Sequence, residues 1–138
     1  MNESHKILTE KVFLNDLNKQ RGTATAISFS DVFYIKSHGR KAELILYGDS
    51  ISIYGSLSGL EKTLQKRKFL RIHRSYLINT SKVYKISGTS VMMKNGDTLP
   101  VSRLYLKALY QMVYGMEKGE RKHWLALKEL RSKKRHQK

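Results

Sequence analysis

The sequence predicts a mainly β protein with one or two short helices. Three observations carry that expectation. Turn-forming residues recur often and the apolar runs between them are short, which suits antiparallel strands. Two pairs, Gly48-Asp49 and Asn95-Gly96, stand between strand-forming runs, and Asn-Gly accepts the positive φ of a tight hairpin turn. Apolar spacing changes to a helical repeat in only two segments before residue 115.

In chain order, residues 12–17 form a first strand and residues 18–22 a turn. Residues 23–29 are rich in β-formers, and Ser30-Asp31 turns the chain into a strand over 32–35. Ser37-His38-Gly39-Arg40-Lys41 is polar, cationic and contains glycine, so it reads as an exposed loop. Residues 42–47 and 50–54 pair around Gly48-Asp49. Ser58-Gly59-Leu60-Glu61 has the capping-box spacing, and Leu57, Leu60 and Leu64 follow a helical period, which predicts a helix over 59–67. Residues 91–94 and 97–99 flank Asn95-Gly96. After Ser102, the residues Leu104, Ala108, Leu109, Met112 and Val113 lie on one side of a second helix over 103–114, with Gly115 as its stop.

Beyond that point lies a basic tail, residues 115–138, in which Trp124, Leu125, Leu127 and Leu130 sit among positive charges. Two readings stand open for it. One is an amphipathic helix lying on the domain or on a partner; the other is a frayed, solvated terminus. The expected organisation is an N-terminal extension over 1–11, one domain over 12–114 and the tail.

Composition narrows the function. A chain of 138 residues is one domain with a modest core. No apolar run approaches the ~20 residues of a spanning helix, and the first residues lack the apolar core of a signal peptide. Cysteine is absent, so there is no disulfide framework and no thiolate metal site, and a cytoplasmic setting is expected. The net charge is +16; the tail, with nine Lys/Arg against three Glu, accounts for +6, so the remainder is basic on its own. A polyanion is the expected partner, nucleic acid first. An anionic membrane is the weaker option, because no long basic amphipathic stretch precedes residue 118.

Enzyme chemistry finds little footing. His5, His38, His73, His123 and His136 are dispersed, and Gly55-Ser56-Leu57-Ser58-Gly59 lacks the Lys-Ser/Thr of a phosphate loop. Asp31, Asp49 and Asp97 all fall at turns. No catalytic residue, cofactor or metal is expected.

The most informative stretch is Phe69-Leu70-Arg71-Ile72-His73-Arg74-Ser75-Tyr76-Leu77-Ile78-Asn79. Read as extended, it alternates between two faces. Leu70, Ile72, Tyr76 and Ile78 share one with Arg74, while Arg71, His73, Ser75, Leu77 and Asn79 share the other. Neither face is purely apolar, and the break at Arg74 predicts that the chain turns near residues 73–75.

This stretch resembles the signature of the LytTR-type DNA-binding domain, the output module of many bacterial response regulators. Asp31-Val32-Phe33-Tyr34-Ile35-Lys36-Ser37 and Leu99-Pro100-Val101-Ser102-Arg103 are similar to that family's flanking segments, so the resemblance covers roughly residues 12–114. It implies an elongated stack of short antiparallel sheets with minor helices. It also implies transcription regulation by sequence-specific binding to promoter direct repeats, through loops in the major groove. The partners it implies are double-stranded DNA, RNA polymerase, and tandem copies or a dimer on the DNA. The family's usual receiver domain is not in this sequence, so the chain is expected to be a free-standing regulator or an output domain.

Carried over by position, the contacts are His38, Arg40 and Lys41 in a first loop, Arg103 in a second, and Arg74 after the signature histidine. Their chemistry fits independently: Arg offers a two-donor fork to guanine O6 and N7, while Lys and His are simpler donors. Arg103 also has a bland reading, a salt bridge at a helix start. Eleven acidic residues against 27 basic ones leave few such partners. Arg71, His73 and Ser75 complete the candidate set. His73 reads either as a phosphate contact or as a turn anchor, Ser75 as a hydroxyl donor to phosphate, and Asn79 as a turn-closing residue. Lys66, Arg67, Lys68 and Arg71 form a cationic run, most simply a solvated face.

Two other classes remain open. One is a general nucleic-acid or RNA-binding module using stacked aromatics, although Tyr34, Tyr47, Tyr54 and Tyr76 in strand-like runs read more simply as core. The other is an interaction module acting through the basic tail.

Overall fold

The computed structural model describes residues 11–115 apart from Lys66. Expectations for residues 1–10, for Lys66 and for the tail beyond Gly115 lie outside the described residues. Among the described residues, ten strands form three antiparallel sheets. A hairpin of β1 (Val12–Asn15) and β2 (Ala24–Ile27) is the first. The central sheet holds β3 (Tyr34–His38), β4 (Lys41–Leu46), β5 (Asp49–Tyr54), β6 (Phe69–His73) and β7 (Tyr76–Asn79), in the order β5-β4-β3-β7-β6. The third holds β8 (Val83–Ser87), β9 (Ser90–Met93) and β10 (Thr98–Pro100). Helix α1 (Leu57–Leu64) links β5 to β6, and α2 (Arg103–Tyr114) follows β10.

The central sheet is covered on one side along all its strands and on the other mainly over β3, β6 and β7. Ile35, Ala42, Leu44, Ile51, Phe69 and Leu77 pack with Ile27, Phe29, Leu57 and Leu64, under the β1–β2 hairpin and α1. Tyr34, Ile72 and Ile78 pack with Val91, Met93, Leu99, Leu106 and Leu109, under the third sheet and α2. Alternation along β6 and β7 is therefore between two apolar faces, each fully buried Leu or Ile contributing roughly 1.5–3 kcal/mol. That explains why neither face of residues 69–79 reads as the solvent side. The turn predicted within that stretch separates β6 from β7 at Arg74 and Ser75. The mainly β fold class and its layered short sheets hold.

Several element-level expectations are corrected. The supposed loop over 37–41 is the tip of a β3–β4 hairpin. His38 pairs with Lys41, and only Gly39 and Arg40 lie between the strands, with Gly39 at φ 64°. Strand β8 and its hairpin with β9 were not anticipated; Tyr84 and Lys85 are exposed, so its apolar signal is weak.

Helix α1 starts two residues earlier than expected and stops at Leu64. Its cap is Ser56, with an extended backbone and a hydroxyl that accepts from Gly59 N–H at 3.0 Å; Ser58 is already inside the helix. Helix α2 has the expected bounds and a left-handed Gly115 after it, but a different buried face. Leu106, Leu109 and Tyr110 are buried, whereas Leu104 is 81% exposed. Tyr47 and Tyr54 are 80% and 70% exposed and so are not core.

Candidate nucleic-acid interface

Four connections meet at one end of the central sheet. The β3–β4 tip presents His38, Arg40 and Lys41, all exposed. Beside it the β6–β7 turn presents Arg74 and Ser75, and Ser37 N–H donates to Ser75 C=O at 3.0 Å, tying the two together. Ser102 N–H donates to Ile72 C=O at 2.8 Å, which brings the start of α2, with the exposed Arg103, against the end of β6. Val101 N–H donates to Thr89 C=O at 2.8 Å and so brings the β8–β9 tip to the same end. The residues 38–41, 74 and 103, far apart in sequence, thus share one surface.

Register orders the side chains further. Directly paired residues on antiparallel strands project from the same face. His38 pairs with Lys41 and Lys41 with Tyr54, so these three form a row across β3, β4 and β5. The Lys41 ammonium lies 5.9 Å from the Tyr54 ring centroid. Lys36 pairs with Tyr76, which in turn pairs with His73, a second row on that face. Gly55 N–H donates to Arg40 C=O at 3.1 Å and fixes the hairpin tip from the β5 side.

Tyr54 is the residue that sequence reasoning missed at this end. Its signal was available: once residues 37–41 are read as a hairpin, register sets Tyr54 opposite Lys41. The β8–β9 tip, Gly88-Thr89, was missed with its strand.

Inside the signature the roles divide. Arg74 is exposed. Glu61 is not its partner, because Glu61 Oε1 accepts from Arg71 Nη1 at 3.2 Å. That is the ion pair found among the described residues. Arg71 also donates from Nε to His73 C=O at 2.7 Å and from Nη2 to Arg74 C=O at 2.5 Å. Only 14% of its side chain is exposed.

His73 Nδ1 accepts from Ser75 N–H at 3.1 Å, and its ring lies 5.7 Å from that of Tyr76. An accepting Nδ1 leaves Nε2 as the nitrogen that carries the proton in the neutral ring. His73 therefore anchors the turn through Nδ1 and leaves Nε2 outside that contact. Asn79 is buried and closes a turn as expected: Oδ1 accepts from Ser81 N–H at 3.1 Å, while Nδ2 donates to Val32 C=O at 3.0 Å.

Carboxylates are sparse at this end. Glu61 is taken by Arg71, and Glu43 lies opposite Lys36. Asp49 and Asp97 line an open cleft at the far end of the sheet, with Ile45, Tyr47 and Asn95. There Asp97 accepts from the Tyr34 hydroxyl at 2.8 Å; burial and this carboxylate push Tyr34 above its ordinary value, so it stays a donor. Among the described residues no group of three His, Cys, Asp or Glu is placed to hold a metal ion, and no helix is long and apolar enough to cross a membrane. The chemistry on offer is a set of exposed cationic donors with little local negative charge, which suits an acceptor-rich polyanion.

Comparison with known proteins agrees in kind. The LytTr DNA-binding domain family matches residues 23–114. The sensory transduction protein LytT of Bacillus subtilis is 28% identical over 93 residues, which span 64% of this chain and 39% of that protein. The transcriptional regulatory protein NatR of the same organism is 25% identical over 93 residues, 67% of this chain and 39% of NatR. A solved LytTr DNA-binding domain from Bacillus cereus superposes with a TM-score of 0.60 at 25% identity, over 75% of this chain and 95% of that one. The chain thus spans about two fifths of the length of the curated relatives it matches.

Proposed function

The chain belongs to the LytTr DNA-binding domain family, and on that premise we propose that it is a sequence-specific, double-stranded DNA-binding transcription regulator. The observation that carries the reading is the meeting of His38, Arg40, Lys41, Arg74 and Arg103 at one carboxylate-poor end of the central sheet. The binding unit is residues 12–114. The β3–β4 tip and the start of α2 enter successive major grooves, where Arg103 and one of His38, Arg40 and Lys41 meet base edges. Arg74 and Ser75, between them, face the backbone, and the Nε2 of His73 adds a donor there. Phosphate contacts set register, and base contacts set sequence. Two grooves entered from one face favour a bent duplex.

Direct repeats in promoters are the sites that such a unit recognises, in tandem or as a dimer, in the cytoplasm, with RNA polymerase as the downstream partner. The exposed Tyr54 beside Lys41 favours a second reading, in which single strands stack on that ring.

Selection of bound sites from a random duplex pool tests both. Recovery of a repeated motif, bound far more tightly than its scrambled version or either single strand, is expected. Equal affinity for scrambled duplex, or preference for single strands, removes the sequence-specific reading.

A further inference from the structure

We propose that Arg71 is a positioning residue that holds the β6–β7 turn in its DNA-binding shape and is not itself a contact; the inference rests on the DNA-binding reading above. Arg71 leaves β6 on the face that carries Phe69 and Leu77, beneath α1. Its planar guanidinium meets three acceptors together. Two are consecutive carbonyls of the turn, His73 at 2.7 Å and Arg74 at 2.5 Å; the third is Glu61 at 3.2 Å. A guanidinium is suited to this, since its five N–H donors lie in a fixed fork.

Glu61 belongs to α1, which is anchored through buried Leu57 and Leu64. A line of support therefore runs from that core through Glu61 and Arg71 to the backbone of residues 73 and 74. The other side of the turn is closed by Ser75 N–H on His73 Nδ1 and by Ser37 N–H on Ser75 C=O. With its carbonyl held inward, Arg74 projects its own side chain to solvent. Arg71, largely buried and with three nitrogens engaged, keeps little donor capacity for phosphate. The brace is needed because β6 is irregular here, its register against β7 shifting between Arg71 and His73.

Lysine separates position from charge. It keeps the positive charge, but as a single point it cannot serve three acceptors in a fork. Using the duplex that the wild-type chain selects, Arg71→Lys should weaken cognate binding by about tenfold or more, as loss of a well-placed donor pair does. Binding to scrambled duplex should weaken by a similar factor, because Arg74 and Ser75 face the backbone rather than base edges. In an Arg74→Ala background the same substitution should add little, because coupled residues are not additive. Amide exchange of Ser75 in the free protein should quicken in Arg71→Lys while Ile35 and Leu77 stay protected.

Wild-type affinity for Arg71→Lys, together with a salt slope flattened by about one in Arg71→Gln, would make Arg71 a phosphate contact and overturn the proposal. Unchanged exchange at Ser75 would also overturn it, without reference to DNA. A wild-type chain that selects no duplex would instead sink the DNA-binding reading, and exchange at Ser75 would still judge the brace. Should Arg71→Lys fail to fold, Glu61→Ala, which removes an acceptor that is 45% exposed, gives the same exchange comparison.

Discussion

At the residue scale, the contacts proposed for Arg103 and Arg74 predict different losses. If Arg103 reads a guanine, Arg103→Ala should cost about 1–3 kcal/mol on the selected duplex and much less on a scrambled one. Equal losses in parallel titrations would demote it to a phosphate contact. Arg74 is exposed and Glu61 is engaged elsewhere, so Arg74→Ala leaves no buried charge behind. Its thermal midpoint should barely move, as exposed changes usually shift stability by about 0.5 kcal/mol or less, while duplex affinity falls. A lowered midpoint with intact affinity would remove Arg74 from the interface. Arg74 stands out in the sequence because the signature around it is long and ordered, and Arg103 because it closes the flanking segment Leu99-Pro100-Val101-Ser102-Arg103. The role of Arg71 was not legible: sequence shows a cation beside other cations, and only tertiary placement reveals acceptors on three sides of it.

Elements were legible where local chemistry decides them. Asn95-Gly96 forces a turn wherever it lies, and Gly115 ends α2 in the left-handed region that glycine tolerates. Prediction failed where two local signals competed. Ser56 and Ser58 both precede the apolar period of α1, and the capping-box spacing favours Ser58. Only Ser56, however, has the extended backbone of a cap and accepts from Gly59. Ser56→Ala should therefore cost about 1 kcal/mol of unfolding free energy in urea titration, and Ser58→Ala much less. The reverse order would restore the capping box.

The face of α2 failed for a similar reason. Leu104 and Leu109 fit one helical stripe on paper, but the core lies under Leu106, Leu109 and Tyr110. Leu109→Ala should lose roughly 2–5 kcal/mol, whereas Leu104→Ala should stay within about 0.5 kcal/mol. Calorimetry of the two variants checks which stripe faces inward.

For the whole molecule, the charge of +16 was legible at once, but its distribution was not. Distribution depends on sheet register, which sets His38, Lys41 and Tyr54 in one row and sends Asp49 and Asp97 to the far end. A basic surface of this kind binds by releasing counterions. If it neutralises ~6 phosphates, log K should fall with log salt at a slope near −5. Residues 115–138 contribute +6 of the charge, so they compete with the sheet end as the origin of that slope.

Deleting residues 116–138 separates the two. If the sheet end carries binding, cognate affinity at moderate salt and discrimination against scrambled duplex both survive the deletion, and the slope keeps most of its steepness. A tail lying along the backbone would instead take several phosphates with it and flatten the slope by about 0.9 for each. Discrimination would be retained even then if the base-reading groups are, as proposed, those of the β3–β4 tip and the start of α2. Loss of discrimination on deletion is the outcome that counts against the assigned surface, since it would move sequence reading from the sheet end into the tail.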